Sequence, residues 1–398
     1  MVPEFYPPVL GGVAQHVISL TESLKKKGHD VKVLTLGWKG LNQHEDNTGF
    51  EIIRTPGFFQ KLEFIYGNKN YRFHPPISDP IFSKKIYTFM ELFKPDVIHC
   101  HGWTIYSALK IKKNFNIPLI LTLHDYGLMC PARTMYNDKN NICTEALTSK
   151  CLSCAEKKVG TSKARIMCWA LKHNKNNLRL VDKYIAVSTP VKNIHCKYLD
   201  GNKIEVIYNF YNADTDQKNI NNIYLPDDFI MFAGALKLEK GVDVLVNAYR
   251  KLNTNAKLVI FGMKRPGFNM HTDNNVIILE NQPHNIVMEA WRKCLFGVVP
   301  SVWAEPFGIV ALEAMSCGKA IIGSDIGGLQ DIVLNGETGL LVPPGDVESL
   351  SLAMNKLLTQ PEMAKALGKK GHERLCEQFA IDKVVSKIER LYKEAAGN

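Results

Sequence analysis

The stretch FGVVPSVWAEPFGIVALEAM, residues 296–315, carries three structural signals in a row. Phe296 to Pro300 is an apolar run without alternation, the pattern of a strand covered on both faces. Pro306 and Gly308 interrupt the chain, and from Ile309 apolar residues return at helical spacing, so the order is strand, loop, helix. In open parallel sheets ligands bind at the carboxyl ends of strands, where such loops meet helix N-termini. Free amides and the positive end of the helix dipole make that start an anion site, best suited to a diphosphate, with Gly308 leaving the backbone bare. Glu305 and Glu313 flank it; at about 100° per residue they stand roughly 80° apart if both are helical. Glu305 therefore reads as preceding the helix and facing a neutral polyol, with Glu313 inside the helix at a second pair of hydroxyls. Ionised carboxylates only accept hydrogen bonds, which suits sugar and ribose diols. The competing reading is a capping glutamate followed by a solvated one.

The same strand-and-helix rhythm extends in both directions. DVKVLTLG, DVIHCHG, PLILTLHD, KYIAVS and KIEVIYN mark strands in the first half, and FIMFAG, AKLVIFG, NVIILE, FGVVP and AIIGSD in the second. Unbroken apolar runs separated by helical stretches predict parallel sheets built from right-handed crossovers, hence two doubly wound α/β domains in tandem. The polar segment 212–228 is the expected linker. A last helix around Asp382 to Ala395 carries Val384, Val385, Ile388 and Leu391 on one face and requires an apolar groove. At the other end, MVPEFYPPVLGGVAQHV reaches its Gly-Gly loop with only Met1 and Val2 ahead of it to form an opening strand.

At 398 residues the chain exceeds one ordinary core and suits two domains. Its 45% hydrophobic and 22% charged residues are those of a globular protein. Neither an apolar run of membrane-spanning length nor a signal peptide is legible, which points to the cytosol. Charge is uneven: residues 1–200 hold 28 Lys and Arg against 16 Asp and Glu, residues 201–398 hold 21 against 23. The basic half is the one expected to meet an anionic partner such as a membrane surface, the alternative being a solvated lysine-rich face.

Further residues fall at strand ends. FAGALKLEKGVDVLVNAY places Glu239, Lys240 and Gly241 on a loop before a helix, where Lys240 can neutralise a diphosphate as a point charge. LTLHDYGLMCPARTMY puts His124 and Asp125 at the end of a buried strand, with His124 placed to donate to a substrate hydroxyl or phosphate. DVIHCHGW offers His99 and His101 on the preceding strand, both on one side by alternation. Asp214 and Asp216 resemble a cation-chelating pair but lie in the linker. Ten cysteines without an export signal imply reduced thiols. Four of them, Cys130, Cys143, Cys151 and Cys154, fall in a polar loop, where they form either a structural zinc site or loose thiols of an insertion. Arg133, Lys157, Lys158, Lys163 and Arg165 surround that loop, and the aromatic segment 58–73 is either a membrane-dipping or a packed surface loop.

Taken together, EFYPPVLGGVAQHV, LTLHDY, AVS, VIYNF, EKGVDVL and PSVWAEPFGIVALEAMSCGKAIIGSDIGGLQDIVLNGETGLLVPPGD resemble glycosyltransferase family 4, retaining enzymes of the GT-B fold, over essentially the whole chain. The resemblance implies two Rossmann-like doubly wound parallel-sheet domains facing a central cleft. These are an N-terminal acceptor-side domain (1–212, with the Cys-rich loop 130–154), a C-terminal nucleotide-sugar domain (213–380) and a helix (381–398) crossing back. It also implies Glu313 at the nucleotide ribose, Glu305 at the transferred sugar, and Phe307, Gly308, Ile309 and Val310 amides at sugar and diphosphate. Gly11 and Gly12 line the donor, His124 contacts the sugar or leaving phosphate, and Lys240 neutralises the diphosphate. His124, Glu305 and Lys240 are then the catalytic residues. The sequence departs from the family at Ala235, where an arginine usually stands beside Gly234, leaving Lys237 as the available substitute. The implied activity is transfer of a hexosyl group from a UDP- or GDP-sugar to a lipid-linked or polysaccharide acceptor, in cell-surface glycan synthesis. No cofactor is required, no nucleic acid is bound, and the place of work is the cytoplasm or the inner face of the membrane. The alternatives are a weak or inactive nucleotide-sugar-binding protein and a nucleotide-sugar epimerase.

Overall fold

The computed structural model describes residues 1–398 apart from Leu10, Lys39, 46–48, 63–71, Asn140, 213–223, 264–272 and Asn398. Most of the expected linker, the Asp214–Asp216 pair and the middle of the 58–73 segment lie outside the described residues. The chain forms two compact units, Met1–Tyr208 with Val384–Asn398, and Asn209–Lys383. The division falls before the expected 212/213 because Tyr211 N donates to Phe379 O and Tyr211 bridges Ala380, tying both ends of the second unit together.

In the first unit the strands are β1 (Val2–Pro3), β2 (Val33–Leu36), β3 (His44–Glu45), β4 (Ile52–Thr55), β5 (Ile98–His101), β6 (Leu119–Leu123), β7 (Lys183–Ala186) and β8 (Ile204–Val206). They form a parallel sheet β1-β5-β6-β7-β8 and a smaller sheet β2-β4-β3. The opening strand is indeed short: Val2 and Pro3 pair with Cys100 and His101, and Leu34 N donates to Met1 O at 2.9 Å, joining the two sheets side by side. The final helix, Ile381–Ala396, buries Val384, Val385, Ile388 and Leu391 at 1% exposure or less. Each contributes about 2 kcal/mol by burial. His29 and Lys27 hold Glu389 at the helix surface, both at 2.7 Å.

The second unit contains β9 (Phe229–Ala233), β10 (Lys257–Gly262), β11 (Val276–Glu280), β12 (Phe296–Val299), β13 (Ile321–Ser324) and β14 (Leu340–Val342). All pairs are parallel, in the order β11-β10-β9-β12-β13-β14. Counted within the unit this is 3-2-1-4-5-6, the dinucleotide-binding order, whose strand sequence reverses between β9 and β12. Ile230, Leu258, Ile260, Phe296, Val298 and Ile322 form a core from which water is excluded, as the unbroken apolar runs require.

Candidate functional site

In the second unit two loops leave the sheet at the reversal point, after β9 and after β12. After β9 the chain passes Gly234, Ala235 and Lys237 to a 3-10 turn, Leu238–Lys240; after β12 it passes Ser301 and Glu305 to the helix Ile309–Ser316. Val302 N donates to Glu239 O at 3.0 Å, tying one loop to the other. Gly241, at φ 66°, lies so close under β12's exit that a Cβ would stand 1.9 Å from Pro300 O.

Glu305 is 9% exposed and held at both oxygens. Lys240 Nζ forms an ion pair with Oε1, and Ser301 Oγ donates to Oε2 at 2.8 Å. Trp303 lies beside the pair, with Lys240 Nζ 5.8 Å from its ring centroid, and its indole Nε1 is buried without a hydrogen-bond partner among the described residues. The sequence assigned Lys240 to a diphosphate and Glu305 to a sugar; the fold puts the two in direct contact. A third loop fixes the carboxylate's backbone. Gly328 N donates to Glu305 O at 2.7 Å, and a Cβ on Gly327 would stand 2.4 Å from the same oxygen.

Gly308, at φ 100°, caps the helix Ile309–Ser316, a conformation that favours glycine. The amides of Ile309 and Val310 have no carbonyl a turn back inside the helix, so they present donors at the dipole's positive end. Phe307 is buried against Phe379, ring centroids 6.0 Å apart. Glu313 sits one turn in, where His284 Nε2 meets Oε1 at 3.2 Å and Trp291 Nε1 donates to Oε2 at 3.4 Å. It is thus oriented by a neighbouring helix, His284–Lys293, and is neither a cap nor a solvated glutamate.

The first unit gathers histidines at the carboxyl ends of β5 and β6. His101 Nδ1 and His124 Nε2 share a hydrogen bond at 2.9 Å, and His16, from the helix Gly12–Lys26, stands edge-on to His124 with centroids 4.9 Å apart. Ligand atoms of His16, His101 and His124 all lie within 4.8 Å of one another, the one such group among the described residues. His99 is on the same side as His101, centroids 4.1 Å apart, but its nitrogens are taken by Thr122 Oγ1 and Tyr392 OH. Burial holds all four imidazoles neutral, pushing His16 down to about 3 and the others well below the ordinary histidine range. Gly11 and Gly12 lie exposed at the start of their helix, with open space where a Cβ would be.

A second network borders the cluster. Glu4, buried directly after β1, accepts from Arg133 Nη2 at 2.7 Å, Trp103 N at 2.8 Å and His74 N at 3.2 Å. Burial raises its pKa against the pull of Arg133. Sequence reasoning singled out His124, Glu305, Glu313 and Lys240, but not His16, Glu4, Ser301, His284, Trp291 or Trp303. For His16 the signal was its place four residues after Gly12; Ser301 meets Glu305, four residues on, only once the loop folds back, and Glu4, His284, Trp291 and Trp303 act through partners distant in sequence.

The family model described as Glycosyltransferase Family 4 matches residues 10–215, just over half of the chain, and that described as Glycosyl transferases group 1 matches residues 213–374. The chain belongs to glycosyltransferase family 4. An uncharacterised glycosyltransferase of Methanocaldococcus jannaschii is 29% identical over 404 residues, covering 99% of this chain and 97% of its own. Sucrose-phosphate synthase from Thermosynechococcus elongatus superposes with a TM-score of 0.72 at 21% identity, over 99% of this chain and 98% of its own. Anabaena HepE in complex with UDP-glucose gives 0.65 at 15% identity, over 99% of both chains. The fold is GT-B, with two Rossmann-like parallel-sheet units.

Proposed function

We propose that this transferase moves a hexosyl group, with retention of anomeric configuration, from a nucleoside-diphosphate sugar to a hydroxyl of a lipid-linked or polysaccharide acceptor. The observation that carries the reading is the convergence of Lys240, Glu305 and the open helix start at the reversal point of the second sheet. A diphosphate placed on the Ile309 and Val310 amides draws Lys240 to itself, freeing Glu305 Oε1 to accept from a sugar hydroxyl while Ser301 keeps Oε2 fixed. Glu313, oriented by His284 and Trp291, accepts from the ribose.

In the reaction the bond between the sugar's anomeric carbon and the β-phosphate oxygen breaks, and its electron pair leaves with the diphosphate. The acceptor hydroxyl attacks from the same face and gives its proton to a departing phosphate oxygen, so no protein nucleophile is needed. Lys240 and the helix amides stabilise the leaving charge. Ala235 supplies no charge where the family usually has arginine, which makes Lys240 the principal cation and Lys237 its companion. His124 is read as a contact to the sugar, its neutral ring suited to a hydroxyl. The relative solved with UDP-glucose supports the donor class. No described helix is long and apolar enough to cross a membrane; a lipid-linked acceptor is then met at the surface, by the basic first half.

The test is incubation with UDP-, GDP- and ADP-sugars, following nucleoside diphosphate release and the sugar product. Release with one nucleotide class, abolished in Glu305→Ala, supports the transferase. Isomerised donor without release would establish the epimerase instead, and binding without either product the inactive reading.

A further inference from the structure

We propose that the outer face of the helix Thr161–Asn174, in the connection between β6 and β7, docks on an anionic bilayer. Ile166 and Trp169 enter the interface, and the cations beside them meet phosphate headgroups. The inference deepens the reading of a lipid-linked acceptor and rests on that reading for its purpose.

An ordinary surface helix carries one apolar stripe, turned to the core, and a polar face toward water. This helix carries apolar side chains on both faces. Ala164, Met167, Cys168 and Leu171 are buried at helical spacing, and Ala164 and Cys168 pack with Ala155 of the preceding helix, Lys150–Val159. Ser162, Arg165, Ile166, Trp169, Lys172 and His173 repeat that spacing on the outer face and are exposed. At its centre Ile166 is 55% and Trp169 56% exposed. Single apolar residues on a surface are ordinary. Two large ones three positions apart are neighbours on a helix and leave an apolar ridge in water. Trp169 stacks on His173, ring centroids 5.1 Å apart, with more than half of its surface still open. Leu152 adds a third exposed apolar side chain on that side: it stands four positions before Glu156, which pairs with Arg165 at 3.6 Å.

Charge decides what covers the ridge. Residues 150–175 hold seven Lys and Arg against one acidic residue, Glu156. Lys158 and Lys157 are engaged within the connection, by Tyr136 O and by Asp138. Lys163 stands three positions before Ile166 and Lys172 three after Trp169, so cations border the ridge at both ends. A solvated helix face mixes both signs of charge, and a second copy of this face would set like charges against each other. The complementary partner has negative charge directly above an apolar layer, which is the order of headgroups and acyl chains in a bilayer. Lys and Arg lay their stems along apolar surface while their heads reach phosphates, and an indole suits the boundary between the two layers. A nucleic acid supplies the charge but no layer to receive Ile166. The same connection holds Cys130, Cys143, Cys151 and Cys154, but no three of these sulfurs lie within 4.8 Å of one another.

Flotation of the full-length chain with phospholipid vesicles, without donor or acceptor, tests the docking apart from sugar transfer. Binding to vesicles of phosphatidylcholine mixed with phosphatidylglycerol is expected, about tenfold or more above that to phosphatidylcholine alone. The double variant Ile166→Ser/Trp169→Ser, its fold checked by circular dichroism, is expected to bind the anionic vesicles about tenfold or more weakly. Lys163→Glu/Lys172→Glu should lose a similar factor at low salt, with its difference from wild type narrowing at high salt. Equal binding to both lipid compositions, or undiminished binding in either variant, overturns the proposal. So does binding of a uridine-rich RNA at least as tight as that of vesicles and lost in the same variants, which would make the face a nucleic-acid surface. Nucleoside diphosphate binding on the same preparations separates the two readings: nucleotide without vesicles ends this proposal and leaves the transferase, and vesicles without nucleotide do the reverse.

Discussion

Lys240 and Glu305 neutralise each other, and Ser301 holds the other carboxylate oxygen; in the proposed reaction this keeps the carboxylate oriented once the lysine turns to the diphosphate. Ser301→Ala removes that hold while leaving both charged groups in place. It is expected to lower kcat about tenfold, the order of one lost hydrogen bond to a charged group, with little change in nucleotide affinity. Lys240→Met is expected to lower kcat/KM by about a hundredfold or more, the scale of a removed oxyanion-stabilising charge. Steady-state kinetics on the two variants checks the contrast, and an equal loss in both would contradict the division of roles. Glu305, Glu313 and Lys240 were legible because each sits close to a glycine at a strand-to-helix junction. Ser301 was hidden because a serine four residues before a glutamate means nothing until the loop folds back. The expectation of separate Lys240 and Glu305 roles missed their pairing, since β9 and β12 are distant in sequence and adjacent only in the sheet.

At the scale of elements, glycines set how closely the site's loops approach. Gly241 combines a left-handed backbone with a space closed by Pro300, whereas Gly336, at φ 77°, has open space within 4 Å of where a Cβ would stand. Gly336→Ala therefore incurs only the left-handed backbone penalty, about 1 kcal/mol. Gly241→Ala must also move the exit of β12, and is expected to cost about 3 kcal/mol or more. Thermal unfolding should separate them, Gly241→Ala lowering the second unit's midpoint by about 6 °C or more and Gly336→Ala by much less. Ten of the strands were readable from unbroken apolar runs, and β1 was expected as a very short one. β3, β4 and β14 were not read: runs of two to four residues carry too little periodicity, and tertiary pairing makes them strands.

For the molecule as a whole, the distribution of buried histidines divides the two units. Burial pushes His16 down to about 3, His74 and His195 to about 4, and His99, His101 and His124 well below the ordinary range. All six belong to the first unit. The folded values lie below the unfolded value of about 6.5, so their neutral burial is fully compatible with the fold above that pH and opposes it as pH falls toward the folded values. At pH 5 each of His16, His74 and His195 favours unfolding by about 2 kcal/mol, a substantial part of the stability of a domain. Acidification from pH 7 should therefore unfold the first unit before the second, seen as two steps in circular dichroism. A single transition confined below pH 4 would refute this. Histidine burial was only partly legible: His99 and His101 share a face by alternation, but nothing in the sequence marks His16 as their neighbour.

The central claim, that the reversal point of the second unit is a nucleoside-diphosphate site, is tested most directly by calorimetric titration of UDP, GDP and ADP into the wild type, Lys240→Met and Glu313→Ala. Saturable binding of one nucleotide by the wild type, weakened at least about tenfold in both variants, a loss of about 1.4 kcal/mol each, is the predicted result. Wild-type affinity in both variants, or no binding of any of the three nucleotides to the wild type, would contradict it.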